Sequence, residues 1–226
     1  MSSYVQSSTV VNFTGDAASK NISITLSAGN SCVVTIDFTV FTSTEPVLTV
    51  SDGTNSYTAA FDLWASGITD RIKCAQYYLH NNSAGAKTIT VSFTGPAFAN
   101  VYGDVQAHEI SGLQNTTPIA TTNSGTSTSP STGATSALGQ AANFVLAQMM
   151  AADGGIDLPT NFTNIWLDNS TSGNPPNSVD YRIINDASAL TVSWGTIATS
   201  VGWAAGVAVY PDSTSTPATL FAASIF

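Results

Sequence analysis

A chain of 226 residues with only 8% charged residues and a formal net charge of −9 can bury a substantial core, as one large domain or two of about 100 residues. Its five basic residues, Lys20, Arg71, Lys73, Lys87 and Arg182, form no cluster. This argues against a nucleic-acid surface, which needs grouped cations, and the acidic balance argues against anionic membranes.

Average soluble proteins carry about 25% charged residues. Ser, Thr, Asn, Ala and Gly take that place here, which suits a protein working outside the cytoplasm or inside an assembly. The opening Met1-Ser2-Ser3-Tyr4-Val5-Gln6 has neither a basic nor an apolar signal region, so a secretory leader is not expected. No apolar run reaches the roughly 18 residues of a membrane span.

In chain order, Val5 to Val11 is β-rich and polar. Residues 21–26 alternate strictly, with Ile22, Ile24 and Leu26 on one face of a half-buried strand. After the turn at Ala28-Gly29-Asn30, the strand from Cys32 to Phe41 puts Val34, Ile36, Phe38 and Val40 on one face and Asp37 on the other, toward solvent. Val47 to Ser51 ends in Asp52-Gly53, a strong hairpin signal, with Ser56 to Leu63 as the return strand. Ile72 to Leu79 is a strand. Asn81 to Ala86 is a turn, and Thr88 to Phe93 is its antiparallel partner. Val101 to Ile110 ends the first half.

Residues 121–137 are almost entirely Thr, Ser, Gly and Pro. A flexible linker is the simple reading. Their place before the strand Asn143 to Met150 points instead to an extended, partly paired edge segment. Ala134 to Ala142 is the only candidate helical turn, weakened by Gly139. Strands are expected at 162–167, 179–184, 189–194 and 202–210. Residues 212–226 form a C-terminal extension whose apolar end, with Leu220, Phe221, Ile225 and Phe226, either packs back on its own domain or clamps a neighbouring subunit.

One unit recurs. Thr88 to Phe93 returns as Ala189 to Trp194 at an offset of 101, and Tyr102-Gly103-Asp104-Val105 returns as Trp203-Ala204-Ala205-Gly206 at the same offset. Tyr77 to Asn82 matches Tyr181 to Asp186 at an offset of 104. Such self-similarity defines two pseudo-repeated halves: a first β-sandwich repeat over 1–113 and a second over 114–211. Short strands separated by turn signals make the fold all-β, a β-sandwich or jelly-roll-like architecture.

The search for chemistry is nearly empty. Of two histidines, His108 opens His108-Glu109-Ile110-Ser111-Gly112, which begins like a zinc-protease phrase. It lacks the second histidine and reads as a strand, not the required helix. Asp104, Gln106 and His108 share a strand face at about 7 Å spacing, where offset 101 puts Ala205, Val207 and Val209. This implies a face solvated in the first half and buried in the second. Asp52-Gly53-Thr54-Asn55 and Asp153-Gly154-Gly155-Ile156-Asp157 could offer oxygens to Ca²⁺ but lack full loop spacing, and ordinary turns explain both. Trp194 and Trp203 fall at repeated aromatic positions and read as core. Trp64 and Trp166 are the freer candidates for a sugar contact. Cys32 and Cys74 read most simply as buried thiols, with a disulfide left open. No catalytic residue, cofactor or metal is expected, and the chain does not read as an enzyme.

Taken in order, Gly29-Asn30 before an apolar strand, Thr49 to Thr58, Thr88 to Phe93, His108 to Gly112 and Trp203 to Tyr210 resemble paired β-sandwich modules. These modules recur in phage virion proteins and large bacterial surface proteins. The resemblance spans most of residues 20–211 and carries no catalytic signature. It implies a structural virion protein of a tailed phage, a capsid-decorating (cement) or tail-accessory subunit on the particle surface. Its partners would be a major capsid or tail protein and further copies of itself. The alternative is a carbohydrate-binding module or host-attachment adhesin, secreted or at a cell surface, with Trp64 and Trp166 against a glycan.

Overall fold

Alternation of β-branched and polar residues drives nearly the whole chain into strands. The computed structural model describes residues 1–15, 18–40, 44–66, 71–95, 101–169, 175–197 and 201–213. The first half contains β1 (Ser3–Ser7), β2 (Val11–Gly15), β3 (Ser19–Leu26), β4 (Ser31–Val40), β5 (Val47–Ser51), β6 (Thr58–Ala65), β7 (Arg71–Leu79), β8 (Gly85–Thr94) and β9 (Val101–Ser111). The second contains β10 (Ile119–Gly125), β11 (Ser131–Ala134), β12 (Ala142–Ala151), β13 (Thr163–Asp168), β14 (Asn177–Asn185), β15 (Thr191–Ser193) and β16 (Trp203–Pro211). The described residues contain no helix. At the expected helical turn, Gly139 sits at φ +73°, which a right-handed helix does not admit.

All strand pairs are antiparallel. One large sheet runs β1-β9-β4-β7-β6, with β2 also on β9; the other runs β10-β16-β12-β14-β13. Two small sheets, β3-β8-β5 and β11-β15, complete the fold. The strand order within the two large sheets is the same. The low-complexity segment is paired, β10 along β16 and β11 along β15.

Three cores make this a four-layer stack. Val34, Ile36, Phe38, Ala75 and Val105 of the first large sheet pack with Ile22, Ile89, Val91 and Phe93 of the three-stranded sheet. Phe13, Phe38 and Phe93 meet edge-on, with centroids 5.1–5.6 Å apart, a favoured aromatic geometry. Val145, Met149, Val207 and Val209 pack with Val192 and Trp194 against the two-stranded sheet. Between the large sheets, Val33, Phe61, Ile72, Tyr78 and Ile110 meet Phe144, Leu146, Val179, Ala208 and Tyr210. Each large sheet is therefore covered on both faces, and every residue of β4 is buried. Two sandwiches stand back to back and share the middle core.

This arrangement corrects several expectations. Asp52-Gly53 does form its turn, with Gly53 at φ +83° and Tyr57 N donating to Val50 O at 2.9 Å. The chain then crosses to the other sheet: β5 pairs β8, and β6 pairs β7. β7 and β8, expected as partners, likewise lie in opposite sheets. From β3 to β9 the chain changes layer at every step except β6 to β7, a choice that turn chemistry does not encode. Asp37 is buried, because its face meets the second large sheet and not solvent.

The residue match between the halves also shifts. At offset 101, Val91 and Phe93 correspond to Val192 and Trp194, and all four face an inner sandwich core. The same offset sends Val105 and Ala107, which face the three-stranded sheet, onto Gly206 and Ala208, which face the middle layer. Tyr77 and Tyr181 lie on unlike faces in the same way. A one-residue slip exchanges the two faces of a strand. The middle-layer residues of β16 are thus Ala204, Ala208 and Tyr210, not Ala205, Val207 and Val209.

Candidate functional site: a polar middle layer and a hydroxyl-bearing outer face

The row Asp104, Gln106 and His108 does not face solvent. All three are buried, because β9 presents them toward the second large sheet. Burial drives each to find a partner. Asn177 Nδ2 donates to Asp104 Oδ2 at 2.7 Å, and Trp166 Nε1 donates to the same oxygen at 3.4 Å. Gln106 Nε2 donates to Ser8 O at 3.0 Å. His108 Nε2 lies 3.0 Å from Thr35 Oγ1, and its Nδ1 lies 3.5 Å from Tyr4 OH.

Amides complete the layer. Gln148 Nε2 reaches across from β12 to Asp37 Oδ1 (3.0 Å), Ala75 O (3.2 Å) and Ile36 O (3.3 Å). In the reverse direction, Gln76 Nε2 donates to Leu146 O at 3.2 Å, while Gln76 Oε1 accepts from Tyr210 OH at 3.3 Å. Tyr4 stacks on Tyr181 at 4.9 Å, and Tyr181 on Phe144 at 5.6 Å. These contacts tie the two sandwiches at several points across one buried layer.

Desolvation sets the electrostatics there. Burial pushes Asp37 up to about 7, against hydrogen bonds from Cys74 and Gln148. Asp104, directly opposite Asp37 in the ladder, adds like-charge repulsion and is itself raised by burial. Burial pulls His108 down to about 3, so its ring is neutral at physiological pH. Thr35 and His108 have a hydroxyl-base geometry, but both are closed off from solvent. Among the described residues, no group of three or more His, Cys, Asp or Glu side chains is placed to hold a metal ion.

The outward surface differs in kind. On the three-stranded sheet the outer positions are Ser19, Asn21, Ser23 and Thr25 on β3, Ala86, Thr88, Thr90, Ser92 and Thr94 on β8, and Val47, Thr49 and Ser51 on β5. The ladder aligns them in rows: Ser19 with Ser92 and Thr49, and Asn21 with Thr90 and Ser51. No charged residue stands among them. On the opposite side of the stack, Ser131, Thr191 and Ser193 give the two-stranded sheet a similar face. A groove of about 340 Å³ beside the first face is lined by Gln6, Ser8, Ser23, Thr25, Lys87 and Thr88.

Trp64 and Trp166 are not brought together. Trp64 packs at the edge of the first sandwich core, Trp166 at the edge of the middle core. Both are half-buried. Trp194 and Trp203 are core residues. Asp52 Oδ1 accepts Thr54 N at 2.9 Å and Asn55 N at 2.7 Å, an Asx turn that occupies the oxygen a cation would need. Asp153 Oδ1 accepts Gly154 N at 2.7 Å. Cys32 and Cys74 are free thiols on opposite faces of the sheet. Leu220, Phe221, Ile225 and Phe226 lie outside the described residues. Asp212 and Ser213, assigned by sequence to the extension, belong to the body. Asp212 is buried and accepts Ser2 N, and Ser213 N donates to Gly112 O at 2.8 Å.

Sequence reasoning missed Gln76, Gln148, Asn177 and Tyr210 as members of the middle layer. The available signal was a lone amide inside an apolar run, as Gln148 within Phe144 to Met150. Comparison with known proteins returns no matching family model, no matching curated protein and no matching solved structure.

Proposed function

We propose that the chain is a structural virion protein of a tailed phage, a capsid-decorating or tail-accessory subunit that works by surface contact. The observation that carries this reading is the charge-free hydroxyl face of β3, β8 and β5. Interface centres are depleted of charged residues, and a chain of net charge −9 repels its own copies wherever carboxylates face each other. A sheet face without charge escapes that repulsion. The polar middle layer supports the same reading: Asp37 and Asp104 take hydrogen bonds from across the layer, and His108 is buried against Thr35 and Tyr4 of its own half. The common strand order of the large sheets further supports descent of the halves from one duplicated unit. The partners are a major capsid or tail protein and other copies of this chain, and residues 214–226 act as a clamp on a neighbour.

Lysines at the exposed positions Ser23, Thr49 and Thr88 test this reading. Surface substitutions of this kind change stability by only about 0.5 kcal/mol. The triple variant is expected to fold normally and to lose retention on phage particles. Full occupancy by this variant would refute the docking face, and full occupancy by a chain lacking 214–226 would refute the clamp.

The groove beside this face favours glycan binding as the second reading. It carries hydroxyl, amide and ammonium groups but no aromatic platform. Glycan-array binding that is lost in the groove variant Lys87→Ala would replace the first reading with this one.

A further inference from the structure

Lys73 is the one lysine buried among the described residues, with a side chain 1% exposed. Its Nζ lies 2.5 Å from Asp62 Oδ1 and 2.6 Å from Glu45 Oε1. In the ladder Lys73 stands between Phe38 on β4 and Trp64 on β6, so the amine is carried between two aromatic neighbours. Asp62 is held from its other side, where Tyr77 OH donates to Oδ2 at 2.8 Å. Glu45 is half exposed and contacts the same amine. An amine, a carboxyl group and a second carboxylate thus converge where bulk water is largely excluded from the nitrogen.

We propose that Lys73 and Asp62 condense into an intramolecular amide that covalently joins β7 to β6, with Glu45 as the proton carrier. Glu45 takes a proton from Nζ, and the freed lone pair attacks Asp62 Cγ. The developing oxyanion at Oδ2 lies against Tyr77 OH. The C–N bond forms in that attack. Glu45 then delivers to the departing Oδ1 the proton it took and a second one that the nitrogen sheds after attack. The C–O bond breaks, and the doubly protonated oxygen leaves as one water. One ammonium and one carboxylate become one neutral amide and one water, so atoms and charge balance without a co-reactant. Two forces favour the step. A fixed contact replaces a bimolecular encounter, and a neutral amide removes the desolvation cost of an ion pair with a buried partner. The bond would fasten edge strand β6 to the large sheet at the rim of the first sandwich core, and it would persist in the unfolded chain.

Intact-mass spectrometry of the full chain in denaturant tests this, because an ion pair does not survive unfolding and an amide does. The expected result is a mass one water below the sequence mass, with a fragment ion linking Asp62 to Lys73. Glu45→Gln and Lys73→Arg are expected to carry their full sequence masses. Glu45→Gln, at a half-exposed position, is expected to keep the wild-type far-ultraviolet circular dichroism. A wild-type chain at full sequence mass would overturn the proposal. So would a water loss mapped to the succinimide-prone Asp52-Gly53 or Asp153-Gly154. Condensation in Glu45→Gln would overturn the role given to Glu45.

Discussion

Asp37 makes the middle layer sensitive to pH in a direction opposite to most carboxylates. Its folded pKa is raised from 3.8 to about 7, so the folded state holds the proton more tightly than the unfolded state does. Below about pH 4 the residue is protonated in both states and costs nothing. As pH rises from 4 toward 7, the unfolded chain ionises freely while the folded chain resists, and stability falls by about 1.4 kcal/mol per pH unit. Above 7 the loss levels off at about 4 kcal/mol.

Asp37→Asn removes this term and leaves a side chain that can still accept from Gln148. Other groups also titrate. Asp104 faces Asp37 across the ladder, Asp180 is raised to about 6 by burial, and His108 is lowered to about 3. The difference between variant and wild type therefore isolates Asp37 together with its coupling to Asp104. Denaturant unfolding at half-unit steps from pH 4 to 8, with a constant m-value as the control, reads it. The variant is expected to gain on the wild type progressively from pH 4 to 7 and to hold that gain above 7. A difference equal at pH 5 and pH 8 would refute the buried-proton reasoning.

His108 works in the opposite sense. Its folded pKa lies far below the usual 6.5, so stability is lost as pH falls below 6.5, and His108→Gln is expected to abolish that part of the acid slope in the same titration. A Cβ at Gly103 would fall 2.0 Å from Asp37 O and 2.5 Å from Phe38 Cα. Backbone must move to admit it, so Gly103→Ala is expected to cost about 3 kcal/mol by denaturant midpoint. Burial pushes the Cys32 thiol up to about 12 and Cys74 well above its ordinary value. A thiol reagent at pH 8 is expected to leave both untouched in the native protein and to modify both in denaturant.

Strand positions were legible because the alternation at Ile22, Ile24 and Leu26, and the run from Cys32 to Val40, depend only on local burial. The partners of those strands were not legible. Asp52-Gly53 specifies a turn, but whether the chain returns beside β5 or crosses to the other layer is decided by which apolar face is left uncovered. The same ignorance of layers misplaced Asp37, Asp104 and His108. A polar residue alternating with apolar ones signals a second face, and only the stacking of the two large sheets puts protein there in place of water. Shared phrases suggest a repeat, yet matching them letter by letter pairs Val105 with Gly206 across opposite faces. One residue between β15 and β16 is enough to invert a strand. The hydroxyl face was present in the Ser-Asn-Ser-Thr alternation from Ser19 to Thr25, and only register assembled it with β8 and β5 into rows.

Whether the chain acts by contact is tested most directly by its distribution on a density gradient of phage particles taken from the lysate in which it is made, quantified by mass spectrometry. The expected result is co-migration with intact particles at a fixed ratio to the major capsid or tail protein. Because a hydroxyl face makes contacts that salt does not screen, that ratio is expected to be unchanged at 1 M salt, an ionic strength of about a 3 Å screening length. Recovery of the chain entirely in the soluble fractions at low salt would contradict a structural role on the particle.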